Sequence, residues 1–123
     1  MYTIKKEFRF EAAHKLDEHD GKCARLHGHS YKLIIEITAP GLYQVGPKRG
    51  MVTDFGDISE FMKPLLEKYL DHHYLNDSLG IYPTAELIAH WIFQQLDAKG
   101  FKGSYVTAVE IGETCTASAR FTR

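Results

Sequence analysis

Apolar and polar residues alternate along the first segment of the chain. Ile4, Phe8, Phe10, Ala12 and His14 fall on one side, with Thr3, Lys5, Glu7, Arg9 and Glu11 on the other. Side chains two apart on a strand share a face, so residues 2–13 are predicted to form a half-buried strand. Residues 27–38 predict a second strand, with His27, His29, Tyr31, Leu33, Ile35 and Ile37 on one face. The polar stretch between them, residues 15–22, reads as a loop in which His19 is simply solvated. Residues 39–50 contain Pro40, Gly41, Gly46, Pro47 and Gly50 and should be irregular.

The period then changes from two to three or four. Asp54 is placed to cap a helix, with Asp57 as a weak capping-box partner. Ile58, Phe61, Met62, Leu65 and Tyr69 make its apolar stripe, and Pro64 should kink or restart it. Pro83-Thr84 opens a second helix that buries Leu87, Ile88, Trp91, Ile92 and Leu96, turns His90 to solvent and stops at Gly100. Alternation returns at the end: Tyr105, Thr107, Val109, Ile111 and Glu113 on one face of a third strand, then a short fourth over residues 118–122. The order β-β-α-α-β-β predicts one α+β domain spanning 1–123, an antiparallel four-stranded sheet with two helices on one face.

Composition narrows the function classes. The chain has 123 residues and a formal charge of −1 with no long basic run, which argues against nucleic-acid binding. No apolar run approaches the ~20 residues of a membrane span, and no export signal is evident, so a cytoplasmic protein is expected. The two cysteines, Cys23 and Cys115, are then expected to be free thiols, with Cys115 buried and inert.

The chemistry concentrates at Cys23-Ala24-Arg25-Leu26-His27-Gly28-His29. His27 and His29 share a strand face, and His14 ends the matching face of the first strand. If the strands pair as neighbours, three imidazoles converge. That set suits zinc and leaves a fourth position open, as in a catalytic site. Cys23 as a fourth ligand would instead close the site and make it structural. Asp71-His72 is a second cluster: a carboxylate beside an imidazole sets its tautomer and basicity, though histidines also favour a helix C-terminus. Glu113 ends an apolar strand face, where a carboxylate is costly unless paired, solvated or awaiting a ligand.

These residues carry a resemblance. The chain resembles the 6-pyruvoyl-tetrahydropterin synthase family over nearly its whole length. The likeness rests on Phe10-Glu11-Ala12-Ala13-His14, Cys23 through His29, Val52-Thr53-Asp54-Phe55, Leu70 through Asn76, Pro83-Thr84-Ala85-Glu86 and Glu113-Thr114-Cys115-Thr116. The three-residue gap between Cys23 and His27 looks like that of the bacterial, carboxy-forming branch of the queuosine pathway. Tyr82 stands where the family often has Asn, and residues 41–50 do not align with its pattern.

The resemblance implies a tunnelling fold (T-fold) whose sheets join into an oligomeric barrel. It implies a homo-oligomer, commonly a hexamer of two stacked trimers, with active sites between subunits. His14, His27 and His29 would hold Zn2+. Cys23 would be the general base and Asp71 and His72 its relay. Glu113 would anchor the pterin, with Thr84 assisting. Glu86 would either contact substrate or serve as a charge at a helix N-terminus. The activity implied is a zinc-dependent carbon–carbon lyase. It would convert the small-molecule substrate 7,8-dihydroneopterin triphosphate to 6-carboxy-5,6,7,8-tetrahydropterin, acetaldehyde and triphosphate. A pyruvoyl-forming synthase that stops before carbon–carbon cleavage stays open, as does a zinc-stabilised binding module without turnover. Lys15, Lys22, Arg25, Lys48 and Arg49 are triphosphate candidates on charge alone.

Overall fold

A computed structural model describes residues 1–123. Its sheet has four main strands, β1 (Tyr2–His14), β2 (His27–Ala39), β4 (Tyr105–Thr114) and β5 (Ala117–Thr122), and a two-residue β3 (His73–Tyr74). The order is β3-β1-β2-β4-β5 and the sheet does not close. The four main strands run antiparallel, as the alternation predicts. β3 is an addition that two residues cannot announce by periodicity; it lies parallel to β1, opposite Ala12 and Ala13. β1 and β2 pair from Tyr2–Ala39 to His14–His27, so the register itself sets two of the imidazoles face to face.

One face of the sheet is covered by α1 (Phe55–Leu65) and α3 (Ala85–Lys99), with the single turn α2 (Leu75–Ser78) near the β1 edge. Tyr31, Leu33, Ile35 and Ile37 from β2 pack with Ile58 and Met62 from α1 and with Ile88, Ile92 and Leu96 from α3 in one apolar cluster. No helix is long and apolar enough to cross a membrane.

Asp54 caps α1 by accepting the Gly56 N–H at 2.8 Å. Asp57 does not complete a capping box; its carboxylate is taken by Lys48 and Thr53. Pro64 has no N–H for the carbonyl four residues back, and the α-helix ends one residue later. The chain continues as a wider turn, Leu66–Leu70, in which the Asp71 N–H reaches the Leu66 carbonyl at 2.7 Å. Thr84 caps α3 and Gly100, at φ 71°, ends it.

Five expectations are corrected. Leu87 is 41 % exposed, and Ala89 and Phe93 are buried in its stead, because the α3 stripe faces the sheet one position further round. His90 is half-buried, stacked on Phe121 with ring centroids 4.4 Å apart. Cys115 is exposed, since it occupies the turn between β4 and β5. Tyr105 and Thr107 do not share a face with Val109: a bulge opposite Glu36 and Ile37 makes both Val106 and Val109 core residues. Trp91 is only partly buried and packs edge-on against Tyr69.

Candidate metal centre and its surroundings

The β1–β2 register brings His14, His27 and His29 together. Their ligating nitrogens all lie within 4.8 Å of one another. Ring centroids are 4.5 Å apart for His14–His27, 5.0 Å for His14–His29 and 4.8 Å for His27–His29. His14 Nδ1–H donates to the Pro83 carbonyl at 2.8 Å, and His27 Nδ1–H donates to the Arg25 carbonyl at 2.7 Å. Each bond fixes a tautomer that leaves Nε2 with a free lone pair, the usual arrangement behind a metal-ligating histidine. The Nε2 atoms of His14 and His29 are buried and have no hydrogen-bond partner. A buried polar atom without a partner is costly in a bare protein. A cation shared by three imidazoles answers both, so the donor set fits zinc. Burial, before any other influence, holds the His29 imidazole below its ordinary pKa, which also favours the neutral ligating form.

Cys23 is not part of this group. It is half-buried, in a short helical turn at Lys22–Ala24, with its carbonyl accepting the Leu16 N–H at 2.8 Å. Glu113 borders the cluster. Its carboxylate oxygens lie 4.0 Å from His14 Nε2 and 3.9 Å from His29 Nε2, and a strand irregularity between Gly112 and Thr114 sets its position. A cleft of about 550 Å³ beside Glu113 is lined also by Arg9, Lys32, Glu110 and Cys115.

Asp71 and His72 form the expected pair, with Asp71 Oδ2 2.9 Å from His72 Nδ1. Asp71 Oδ1 accepts the Glu11 N–H at 2.9 Å, and the His72 N–H donates to the Glu11 carbonyl. The Glu11 amide first, and His72 second, hold the Asp71 carboxyl below its ordinary range. His72 is exposed and has φ 61°, a strained backbone for a non-glycine residue. No hydrogen bond or ion pair joins this pair to Cys23 or the imidazole cluster within one chain. Thr84 spends its hydroxyl oxygen on the Leu87 N–H, and Glu86 is exposed in the first turn of α3. Of the triphosphate candidates, Lys15 pairs with Asp17 at 3.1 Å and Lys48 with Asp57. Lys22, Arg25 and Arg49 are exposed.

Tyr31 belongs to the site and reads as core in the sequence. Its ring lies edge-on to His29 at 5.3 Å and to His14 at 5.9 Å, and its fully buried hydroxyl has no partner. Burial, then the nearby Glu113 charge, pushes the phenol pKa up. Its position two residues after His29 on a strand is the signal that could have placed it there.

The model of the 6-pyruvoyl tetrahydropterin synthase family matches residues 3–123. The chain belongs to that family. It is 48 % identical over 122 residues to a protein of Synechocystis sp. named 6-carboxy-5,6,7,8-tetrahydropterin synthase, covering 98 % of this chain and 93 % of the relative. A protein of the same name from Haemophilus influenzae is 40 % identical over 110 residues, 89 % of this chain and 75 % of its own length. Among solved structures, Caenorhabditis elegans 6-pyruvoyl tetrahydropterin synthase superposes with a TM-score of 0.79 at 25 % identity, covering 99 % of this chain and 95 % of that one. An uncharacterized Wolinella succinogenes protein shares the fold, with a TM-score of 0.83 at 22 % identity and coverage of 99 % and 98 %. The fold is therefore the tunnelling fold, and the chain is a pterin-processing enzyme by family.

Proposed function

We propose that the protein is a zinc-dependent 6-carboxy-5,6,7,8-tetrahydropterin synthase acting on 7,8-dihydroneopterin triphosphate in the cytoplasm, as a step toward queuosine. The observation that carries this reading is the convergence of three imidazoles beside Glu113, those of His14 and His29 with buried, unpartnered Nε2 atoms. The names of the Synechocystis and Haemophilus relatives support the carboxy product.

His14, His27 and His29 would hold zinc, which supplies Lewis-acid polarisation of the substrate's side-chain oxygens. Cys23, outside the imidazole set, takes the carbon-bound proton of the side chain. Asp71 orients His72 through Nδ1, leaving Nε2 to pass a proton. Glu113 accepts two hydrogen bonds from the amino-pyrimidinone edge of the pterin. Loss of triphosphate moves side-chain electrons into the ring, and water then adds to the side-chain carbonyl next to the ring, so that the carbon–carbon bond breaks to leave the 6-carboxylate and release acetaldehyde. No nicotinamide is required.

Thr84 contributes through its cap at the start of α3, and Glu86 by charge at the same terminus. The likeness to the C. elegans synthase favours one alternative, triphosphate loss without carbon–carbon cleavage. Incubating metal-loaded protein with 7,8-dihydroneopterin triphosphate separates the two. Equimolar acetaldehyde and 6-carboxy-tetrahydropterin are expected. A pyruvoyl product would select the alternative, and no turnover by loaded protein would overturn both.

A further inference from the structure

After β3 the chain turns into α2, and its backbone can no longer pair with β1. The pairing nevertheless resumes two residues further on, through a side chain. The Asn76 carboxamide accepts the Lys15 N–H at 3.0 Å and donates to the Lys15 carbonyl at 2.8 Å. Asn76 thus stands in for a peptide group, with one donor and one acceptor at the spacing a strand partner requires. An aspartate has the acceptor without the donor.

Lys15 is a junction. Before it stands His14 of the imidazole cluster. After it stands Leu16, whose N–H binds the Cys23 carbonyl at 2.8 Å. At the other end of the segment 71–76, Asp71 and His72 are bonded to Glu11. One short strap therefore runs beside β1 from Glu11 to Lys15, with the Asp71–His72 pair at one end and, at the other, the backbone that leads from His14 to the Cys23 tether.

We propose that Asn76 is a positioning residue: its carboxamide fixes Cys23 relative to the imidazole cluster through the Lys15–Leu16 backbone. This rests on the reading of Cys23 as the proton-accepting group, but the placement itself can be measured without turnover. Cys115 is exposed in the β4–β5 turn, has no bond to the 71–76 strap or to Lys15 and Leu16, and serves as an internal control for thiol reactivity.

The experiment uses metal-loaded Asn76→Asp, Asn76→Ala and Leu16→Pro proteins, the last cutting the Cys23 tether while leaving the Asn76 side chain in place. Iodoacetamide labelling at each cysteine is followed by peptide mass spectrometry. The Cys23-to-Cys115 rate ratio should change about threefold or more in all three. Because a misplacement of about 1 Å can cost about 10²-fold, kcat on dihydroneopterin triphosphate should fall roughly 10–100-fold with KM little changed. An unchanged ratio in folded variants, or an equal change at both thiols, overturns the proposal. Should the parent protein prove inactive on that substrate, the functional reading fails while the ratio still decides the role of Asn76.

Discussion

His14 Nδ1 lies 2.8 Å from the carbonyl oxygen of Pro83, so the start of α3 and the imidazole cluster are one junction. Pro83 disfavours a helical conformation at Tyr82, and Thr84 then caps the helix. The same carbonyl that precedes the cap locks the His14 tautomer. A helix boundary and a ligand orientation are thereby set by adjacent residues.

Zinc content should follow the imidazoles. The protein is expected to bind one zinc per chain, and His29→Ala to lose metal and activity together. Metal analysis of the purified variant, alongside turnover, checks this; a fully metallated, active His29→Ala protein would exclude the site.

Cys23 should behave differently. Cys23→Ala is expected to keep its zinc and its substrate affinity while turnover falls ~10²–10⁴-fold. His72→Ala should act alike, and the double variant should be no worse than either, as groups working as a unit are not additive. Zinc falling in proportion to activity in Cys23→Ala would make the thiol a ligand.

Strand parity made much of this site legible. His14, His27 and His29 were placed on one face by a period of two, and the register confirms their approach. What the pattern missed depends on contacts remote in sequence. The carbonyl of Pro83 and the amide of Asn76 carry no side-chain signature of their partners, which lie 69 and 61 residues away. Cys115 lies in a hairpin turn although its small neighbours suit a core, because such residues fit both settings. The bulge at Glu36 and Ile37 reverses the strand parity on which the faces of Tyr105 and Thr107 depend.

The Tyr31 hydroxyl is buried without a partner, while its ring stacks on Phe10 at 4.9 Å. Tyr31→Phe keeps the stack and removes the orphan, so metal-free protein should gain about 1–3 kcal/mol. Urea unfolding measures it. A loss of stability would show that the hydroxyl has a partner in solution.

Acid stability should depend on Glu36. Its carboxylate is buried on the sheet's outer face and accepts from Arg120 Nε at 2.8 Å. That hydrogen bond holds its carboxyl below the usual 4.5. A depressed carboxyl binds fewer protons folded than unfolded, so its contribution is present above pH 4.5 and is lost as pH falls through the folded value. Glu36→Gln should flatten the acid limb of the stability curve, at a cost of about 1 kcal/mol at neutral pH. Thermal melts from pH 3 to 7 test it; an unchanged acid limb would remove Glu36 from the account.

The sheet's edges argue for assembly. β5 pairs on one side only, and the outer edge of β1 is covered by strand only opposite Ala12 and Ala13. Open edges of this length invite pairing with another chain, and joining sheets into a barrel removes them. Within one chain, Asp71 and His72 have no bond to Cys23, so a complete site is expected to combine Cys23 of one subunit with His72 of the next. Sedimentation should give a homo-oligomer, a hexamer of two trimers being the expected form. The sharper test is complementation. Cys23→Ala and His72→Ala subunits, each inactive alone, are unfolded and reassembled together. If sites form between neighbours, random mixing pairs an intact Cys23 with an intact His72 in about a quarter of them, and activity returns to about that fraction. If each site lies within one subunit, the mixture stays as inactive as its parts.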